Sequence, residues 1–430
     1  MCGGEILSCE ILYAILVYVR MYRYYVCMSR QLILEIAMLG NIIVQHGHRA
    51  PRKKSLVRCD ITAFIGFILP KDTPEGFQVG DFFEVVIRGE REFANYALAS
   101  VFDKATKRAI ISFFQNGGDV AHVFGVCVSS LDDLTSALSV EEVCENLFQR
   151  LEAEEDISLL YIPVLGYFNI QMFADGQIFS SAEALLGRFL LHCSVMNNRF
   201  LLIDSPRDLH DDLLVRWVKQ LQERQYKNAS YGAIYYPWLR DGEDVYPPGA
   251  AMAGLFVAVE QLHPPIGIQW PPANIALRGV SDTLVPLEQE EATFLAQAHV
   301  NPIYVVPGRG IMPMGARTLS KDPIFQQINS RRIMNMIVEQ LYRDSQWAVF
   351  EVNNPHLWSV VTRDVKARLE EFWLAGLLTL SKDGEKYYVR CNAENNPMEL
   401  LSAGFINIEV RVQPVGTTEQ ILIDLNVGGT

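Results

Sequence analysis

The sequence lacks the short patterns that carry most enzyme chemistry. It contains no Gly-x-Ser-x-Gly elbow, no His-Glu-x-x-His zinc motif and no glycine-rich loop that ends in Lys-Ser or Lys-Thr. Its eight cysteines form no Cys-x-x-Cys pair, which favours free thiols over disulfides or zinc. These absences remove the usual signatures of hydrolases, zinc enzymes and P-loop proteins, and they predict a chain without metal or cofactor.

Basic residues are also in the minority. Lysine and arginine number 37 against 50 aspartates and glutamates, a formal net charge of −13. Nucleic-acid-binding proteins usually carry the opposite balance, so we expect no nucleic-acid partner. The apolar stretch 11–28 contains Arg20 and Arg23 and falls short of the about 20 apolar residues that span a bilayer. We therefore expect no membrane binding by the monomer. Residues 1–27 are either a translated extension or sequence upstream of a start at Met28.

Half of the 430 residues are hydrophobic, enough to form two or more domains. Strand-like and helix-like patterns alternate from residue 108 to residue 260, which predicts an α/β domain with a largely parallel sheet. Residues 357–380 have a helical pattern. The alternating segments 405–412 and 420–425 close the chain as a predicted β-hairpin. The fold class is thus α/β followed by α+β.

The glycine-rich stretch 301–350 predicts a strand at 303–306, a glycine turn, a helix at 328–343 and a further strand at 347–350. Gly310 and Gly315 have the spacing of P-loop glycines. However, Ala316 and Arg317 stand where a P-loop needs Lys and Ser or Thr, and proline at 313 removes a backbone N–H. A structural corner is the better interpretation, and its residues are Pro307, Gly308, Gly310 and Gly315. The alternative is a hydrolase or nucleotide-binding α/β enzyme that uses the 307–317 loop.

A serine hydrolase triad is the other chemical possibility. Asp204, His210 and Ser205 supply the required side chains. Ser205 is followed by Pro206 and has no flanking glycines, so it lacks a nucleophile elbow. The pattern favours the end of a strand over a catalytic site.

A combination of motifs, in order along the chain, resembles the contractile tail sheath proteins of bacteriophages and of phage-tail-like particles such as R-type pyocins and extracellular contractile injection systems. The matching stretches are ITAFIGF (61–67), FFQNGG (113–118), YYPWLR (235–240), PPGAAMAGLFVAVE (247–260), WPPANIALRGV (270–280), NPIYVVPGRGIMPMGARTLS (301–320), INSRRIMNMI (328–337), QWAVFEVNNPHLW (346–358) and VRCNAENNP (389–397). The resemblance covers about residues 55–70 and 105–430. Residues 71–104 match poorly.

The resemblance implies a subtilisin-like α/β middle domain without protease activity and an α+β C-terminal sheath domain with a terminal β-hairpin. The implied divisions are an N-terminal extension and arm (1–54), the α/β domain with its variable segment 71–104 (55–300), and the C-terminal domain with its arm (301–430). It also implies a structural subunit, not an enzyme.

In the family, subunits polymerise as hexameric rings stacked helically around an inner tube, and contraction drives the tube through a target envelope. The implied partners are further copies of the chain, the inner tube protein, and baseplate and tail terminator or cap proteins. Assembly is expected in the cytoplasm, before the sheath becomes part of a virion tail or of a released particle. Whether that particle is a virus, a bacteriocin or an injection system stays open.

Extended arms exchange strands between neighbouring subunits in this family. The implied C-terminal arm residues are Gln420, Ile421, Leu422, Ile423, Asp424 and Leu425. The N-terminal candidates are Ile42, Ile43 and Val44, although the family's proline-glycine arm sequence is not recognisable here. Local basic residues on helices suit switchable contacts in an acidic sheath. The candidates for a tube-facing or inter-subunit surface are Arg331, Arg332, Lys366 and Arg368, with ordinary solvated charge as the alternative.

Overall fold

The computed structural model describes residues 56–95, 100–264 and 266–417, which form two compact units. The larger unit comprises Arg58–Ser194, Asn198–Met336 and residues 414–417. The smaller unit includes Val195–Asn197 and Ile337–Gln413. The domain boundary predicted between residues 300 and 301 falls inside a strand of the larger unit, and the compact units divide between residues 336 and 337 instead.

The elements of the described residues are numbered in chain order. The strands are β1 (Thr62–Ile68), β2 (Phe82–Ile87), β3 (Ala121–Cys127), β4 (Leu159–Tyr161), β5 (Ile170–Met172), β6 (Ile178–Ser180), β7 (Phe200–Asp204), β8 (Gly232–Tyr236), β9 (Leu239–Asp241), β10 (Asp244–Tyr246), β11 (Asp282–Thr283), β12 (Val300–Val306), β13 (Gly310–Pro313), β14 (Leu378–Thr379), β15 (Tyr387–Arg390) and β16 (Glu409–Pro414). The helices are α1 (Glu90–Asn95), α2 (Lys104–Gln115), α3 (Ala137–Ala153), α4 (Glu183–Met196), α5 (Asp211–Arg224), α6 (Gly249–Leu262), α7 (Gln289–Gln297), α8 (Ile328–Ser345), α9 (Pro355–Leu374) and α10 (Met398–Ser402).

An eight-stranded sheet forms the centre of the larger unit, in the order β13-β12-β8-β7-β4-β1-β3-β2. The six inner strands run parallel, and the edge strands β2 and β13 pair antiparallel with their neighbours. Helices that alternate with strands return the chain to the same end of the sheet, as parallel pairing requires. The predicted α/β class with a largely parallel sheet is confirmed.

The sheet is covered on both faces, and β1 shows why. All seven of its residues are buried. Successive side chains of a strand point to opposite faces, so Phe64 joins one hydrophobic core and Ile65 the other. A strand buried on both sides has no reason to alternate with polar residues, which explains the continuous apolar run in its sequence.

Capping residues set the ends of α2. The Asp103 side chain accepts a hydrogen bond from the N–H of Thr106 at 2.8 Å, which satisfies one of the free donors of the first turn. Gly117 follows the helix with φ of +100°, a conformation that favours glycine. A Cβ atom at this position would also lie 2.7 Å from the Cβ of Ala258 in α6, so glycine permits the close approach of the two helices.

The smaller unit packs α9 beside a three-stranded sheet with the order β14-β16-β15. Asn354 caps α9 by accepting from the N–H of Leu357 at 3.0 Å, and Pro355 occupies the first turn, where its missing N–H has no cost. The first half of the predicted terminal hairpin appears as β16. It pairs antiparallel with β15, while the second half, residues 420–425, lies outside the described residues.

The predicted strand at 347–350 is wrong. Residues Gln346–Ala348 form a single 3₁₀ turn that continues from α8. Phe350 follows with φ of +70° and is 76% exposed. Four apolar residues satisfy a strand pattern, but a strand also needs a neighbour with which to exchange hydrogen bonds, and periodicity alone cannot supply that information.

Candidate functional site

The glycine-rich corner is the turn of a β-hairpin. β12 and β13 pair from Ile303 opposite Pro313 to Val306 opposite Gly310, and Pro307–Arg309 connect them. Gly308 and Gly310 have φ of +74° and +99°, conformations that favour glycine. A phosphate-binding loop leads from a strand directly into a helix, whose first N–H groups bind the anion. This turn joins two antiparallel strands instead, so its geometry does not match that of a P-loop.

The third glycine of the corner, Gly315, approaches buried Asn301 closely. A Cβ atom at Gly315 would lie 2.9 Å from Asn301 Oδ1. The Asn301 side chain donates from Nδ2 to the carbonyls of Ile234 and Arg317 and accepts at Oδ1 from the N–H of Arg317. One amide thus ties the chain after the hairpin to β8. Each atom of the amide is used for scaffold contacts, which supports the structural interpretation.

The Asp204 and His210 side chains of the imagined hydrolase triad form hydrogen bonds to residues outside the triad. Asp204 ends β7 and is buried. It accepts from the hydroxyl of Tyr161 and from the N–H of Gly249, both at 2.7 Å. His210 contacts the hydroxyl of Tyr236 at 3.2 Å, and the fully buried Ser205 presents no exposed nucleophile. Asp204 therefore caps α6 from inside the larger unit, where a carboxylate suits the positive end of the helix.

Burial raises the pKa of Asp204 to about 7, although the hydrogen bonds from Tyr161 and Gly249 oppose that shift. As the pH falls, a carboxyl whose pKa is raised in the folded state becomes protonated at a higher pH than the same carboxyl in the unfolded chain. The free energy of unfolding therefore rises as the pH falls from about 7 towards 3.8, the group's ordinary pKa.

Asp204→Asn is expected to remove this pH dependence. The difference in unfolding free energy between wild type and variant should change by about 1.4 kcal/mol per pH unit across that interval. Urea unfolding at several pH values measures the difference, and the exposed Asp208→Asn is the matched control. A wild-type-minus-variant difference that stayed constant with pH would contradict the expected protonation.

Two of the four basic candidates are interior residues of the larger unit. Arg331 is 2% exposed, lies over the rings of Tyr231 and Phe325, and donates to Asn335 Oδ1 at 2.9 Å. Arg332 is 4% exposed. The expectation of a tube-facing or inter-subunit surface is therefore wrong for Arg331 and Arg332. Neither side chain is solvated, because aromatic rings and buried acceptors of the same chain surround them.

Arg332 forms a buried ion pair with Glu260 of α6 and lies over the ring of Phe256. The pKa of Glu260 is raised by burial, and the neighbouring Arg332 partly offsets the shift. Glu260 is not among the residues predicted from the sequence. Its signal was present: a single carboxylate in an otherwise apolar helix requires a partner when that helix is buried.

The other two candidates lie on α9 in the smaller unit. Arg368 is largely buried and donates at 2.6 Å both to Asp344 and to Glu371, so its charge is matched within the chain. Lys366 is exposed. The arm candidates 42–44 and 420–425 lie outside the described residues, which end at Thr417.

Two further properties of the described residues bear on function. No group of three or more histidine, cysteine, aspartate or glutamate side chains in that part of the chain has a geometry suited to a metal ion. In the same residues, no helix combines the length and the apolar character required to cross a bilayer.

Comparison with known proteins relates the chain to one group of assemblies. Residues 320–428 match the family described as phage tail sheath C-terminal domain. The tail sheath protein of Vibrio phage KVP40 is 23% identical over 184 residues, which are 41% of this chain and 26% of the phage protein. The chain thus spans about a quarter of this curated relative.

Solved structures of contractile sheaths share the fold. The helical sheath of the anti-feeding prophage in its contracted state aligns with a TM-score of 0.67 and 20% identity, over 90% of this chain and 99% of that chain. The sheath complex of an extracellular contractile injection system, also contracted, aligns with a TM-score of 0.63 and 20% identity, over 90% and 98% of the two chains.

Proposed function

We propose that this chain, which carries the phage tail sheath C-terminal domain over residues 320–428, is a structural subunit of a contractile sheath. The observation that carries the proposal is the fold, which follows contractile sheath subunits over 90% of the chain. Copies would stack as hexameric rings around an inner tube and would contract to drive that tube through a target envelope. Baseplate and terminator or cap proteins would bind the ends of the array. Assembly would take place in the cytoplasm.

The α/β domain would act as a scaffold with a subtilisin-like layout and no protease activity. The hydrogen bonds of Asp204 and His210 to residues outside the triad, and the burial of Ser205, support this part of the proposal. The internal hydrogen bonds of Asn301 and the hairpin position of Gly308 support a structural role for the corner. An array of such scaffolds needs no nucleotide. The extended state would store free energy relative to the contracted state, and many small gains per subunit would sum along the helix.

Strand exchange would connect neighbouring subunits. The arm residues 420–425 of one copy, and residues 42–44 of another, would add strands to a sheet edge. The smaller unit offers such an edge, because β15 pairs with β16 on one side and with no second strand among residues 56–95, 100–264 and 266–417. Main-chain hydrogen bonds along this edge would supply affinity, and the alternating side chains would set the register.

Lys366 is the remaining candidate for a contact with the tube or with a neighbouring subunit. Its side chain is exposed on α9, and the chain as a whole carries a net charge of −13. An isolated exposed ammonium would make a weak contact, because dissolved salt screens its charge. A weak contact of this kind suits a surface that must separate during contraction.

The full-length chain is expected to form tubular polymers on its own or with its tube protein. Negative-stain microscopy of the purified chain, followed over a concentration series, checks this expectation. Images of assembled particles before and after a contraction trigger separate a contractile sheath from a static one. A chain that stays monomeric at all concentrations, with and without its tube protein, would refute the sheath proposal.

A further inference from the structure

The last described residues of the chain are attached to the start of α8 by side chains, not by a strand pair. Gln327 Nε2 donates to the carbonyl of Thr417 at 2.9 Å, and the N–H of Thr417 donates to Gln327 Oε1 at 2.6 Å. One side-chain amide therefore satisfies both backbone groups of one residue, as the opposite residue of an antiparallel ladder does.

The backbone of Val415 is hydrogen-bonded in the same region. Its carbonyl accepts from Asn329 Nδ2 and from Ser330 Oγ, each at 3.1 Å, so both lone pairs are used. Gly416 lies between the two attachment points. A Cβ atom there would lie 2.7 Å from Gln327 Oε1, so glycine permits this contact. Four hydrogen bonds thus hold the backbone of Val415 and Thr417 in place within the larger unit.

The opposite end of the described chain meets the same part of α8. Arg332 Nη2 donates to the carbonyl of Cys59 at 2.6 Å, and the same guanidinium is paired with Glu260 of α6. Cys59 and Val415 are therefore both hydrogen-bonded by the first two turns of α8, and Thr417 by Gln327 immediately before that helix, all within the larger unit.

We infer that Gln327, Asn329, Ser330 and Arg332, here called the arm anchor, are positioning residues that set where both exchange arms leave the subunit. The inference rests on the proposed sheath function. An exchanged strand must reach a sheet edge on a neighbour in one register, and a one-residue error reverses the faces of all its side chains. If the start of the arm is fixed, the arm has far fewer conformations to sample before it pairs with the sheet edge than a free terminus has. Because both exits share one helix, a displacement of either arm acts on the same helix.

Gln327→Ala and Gly416→Ala are expected to weaken assembly without unfolding the subunit. Each removes or displaces about two hydrogen bonds at the edge of the unit, and a net hydrogen bond contributes only a small part of a fold's stability. The measurement combines the polymer threshold concentration, the melting temperature of the monomer and hydrogen exchange at the Thr417 amide. We expect a threshold raised about tenfold or more, a melting temperature within a few degrees of wild type and faster exchange at Thr417.

Gln326→Ala is the matched control, because that side chain makes a single hydrogen bond to the carbonyl of Lys321, away from residues 415–417. Gln327→Glu keeps the acceptor for the Thr417 N–H and is expected to recover part of the assembly.

Two results would overturn the inference. One is normal polymer formation by both anchor variants despite faster hydrogen exchange at Thr417, and the other is unchanged hydrogen exchange at that amide. A loss of polymers matched by an equal loss in the Gln326→Ala control would overturn it as well. Absence of polymers in the wild-type chain would instead refute the sheath proposal on which the inference rests, whereas exchange at Thr417 would still report whether the anchor holds the chain.

Discussion

Deletion of residues 418–430 is expected to abolish polymer formation while the remaining chain stays folded. The deleted segment contains the proposed exchange strand 420–425, whereas the four hydrogen bonds that join Gln327, Asn329 and Ser330 to Val415 and Thr417 are all kept. A six-residue strand added to an open sheet edge forms several ladder hydrogen bonds, each worth about 1 kcal/mol. Since about 1.4 kcal/mol changes an equilibrium constant tenfold, loss of the strand raises the polymer threshold by about 100-fold or more.

Sedimentation and negative-stain images of the truncated chain measure this effect, and circular dichroism with a thermal melt confirms that the subunit is folded. Deletion of residues 426–430 alone is the matched control, because it shortens the same terminus and keeps the exchange strand. Polymers of the chain truncated after Thr417 at wild-type concentrations would show that the C-terminal arm is not required.

Arg332→Met is expected to lower the free energy of unfolding by about 3–5 kcal/mol, because it leaves the buried carboxylate of Glu260 without its partner. The variant also loses the hydrogen bond to the carbonyl of Cys59 and the contact with the ring of Phe256. Urea unfolding of the subunit measures the loss. The double variant Arg332→Met/Glu260→Leu is the control, and it should lose less than the single variant because no uncompensated charge remains.

The pH dependence of Arg332→Met provides a second readout. Burial already raises the pKa of Glu260, and removal of the guanidinium takes away the opposing effect. The folded variant therefore binds a proton more readily than the unfolded chain does, so its unfolding free energy should rise as the pH falls below neutral. Equal losses in the single and double variants, together with no recovery in acid, would show that the ion pair is not the source of the effect.

The two arginines of the INSRRIMNMI motif show where the sequence stops being informative. Their helix was predicted at 328–343 and is observed at Ile328–Ser345, because the apolar period of a helix is a local property of the sequence. Their exposure was predicted wrongly. Adjacent arginines usually mark a solvated face, but the partners that make burial possible here, Glu260 and Tyr231, lie far away along the chain.

The glycine corner shows the opposite case. The sequence excluded a phosphate loop because the residues that contact phosphate are missing, and no tertiary information was needed for that step. That the corner is a hairpin turn at the edge of an eight-stranded sheet, and that Asn301 holds the chain beyond it, depends on pairing between β12, β13 and β8. Hydrogen-bond partners distant in sequence cannot be read from either strand alone.

By itself, the sequence determined the α/β class, the long helix at 328–343 and the resemblance to sheath proteins. Each of these depends on periodicity, on residues a few positions apart or on motif order. Only the tertiary structure decided that Asp204 caps α6 instead of forming a catalytic triad, that Arg332 is buried against Glu260, and that Gln327 is hydrogen-bonded to Thr417. These contacts join residues 45, 72 and 90 positions apart. Their free energy depends on burial and direction, which arise only when the sheet and its helices have assembled.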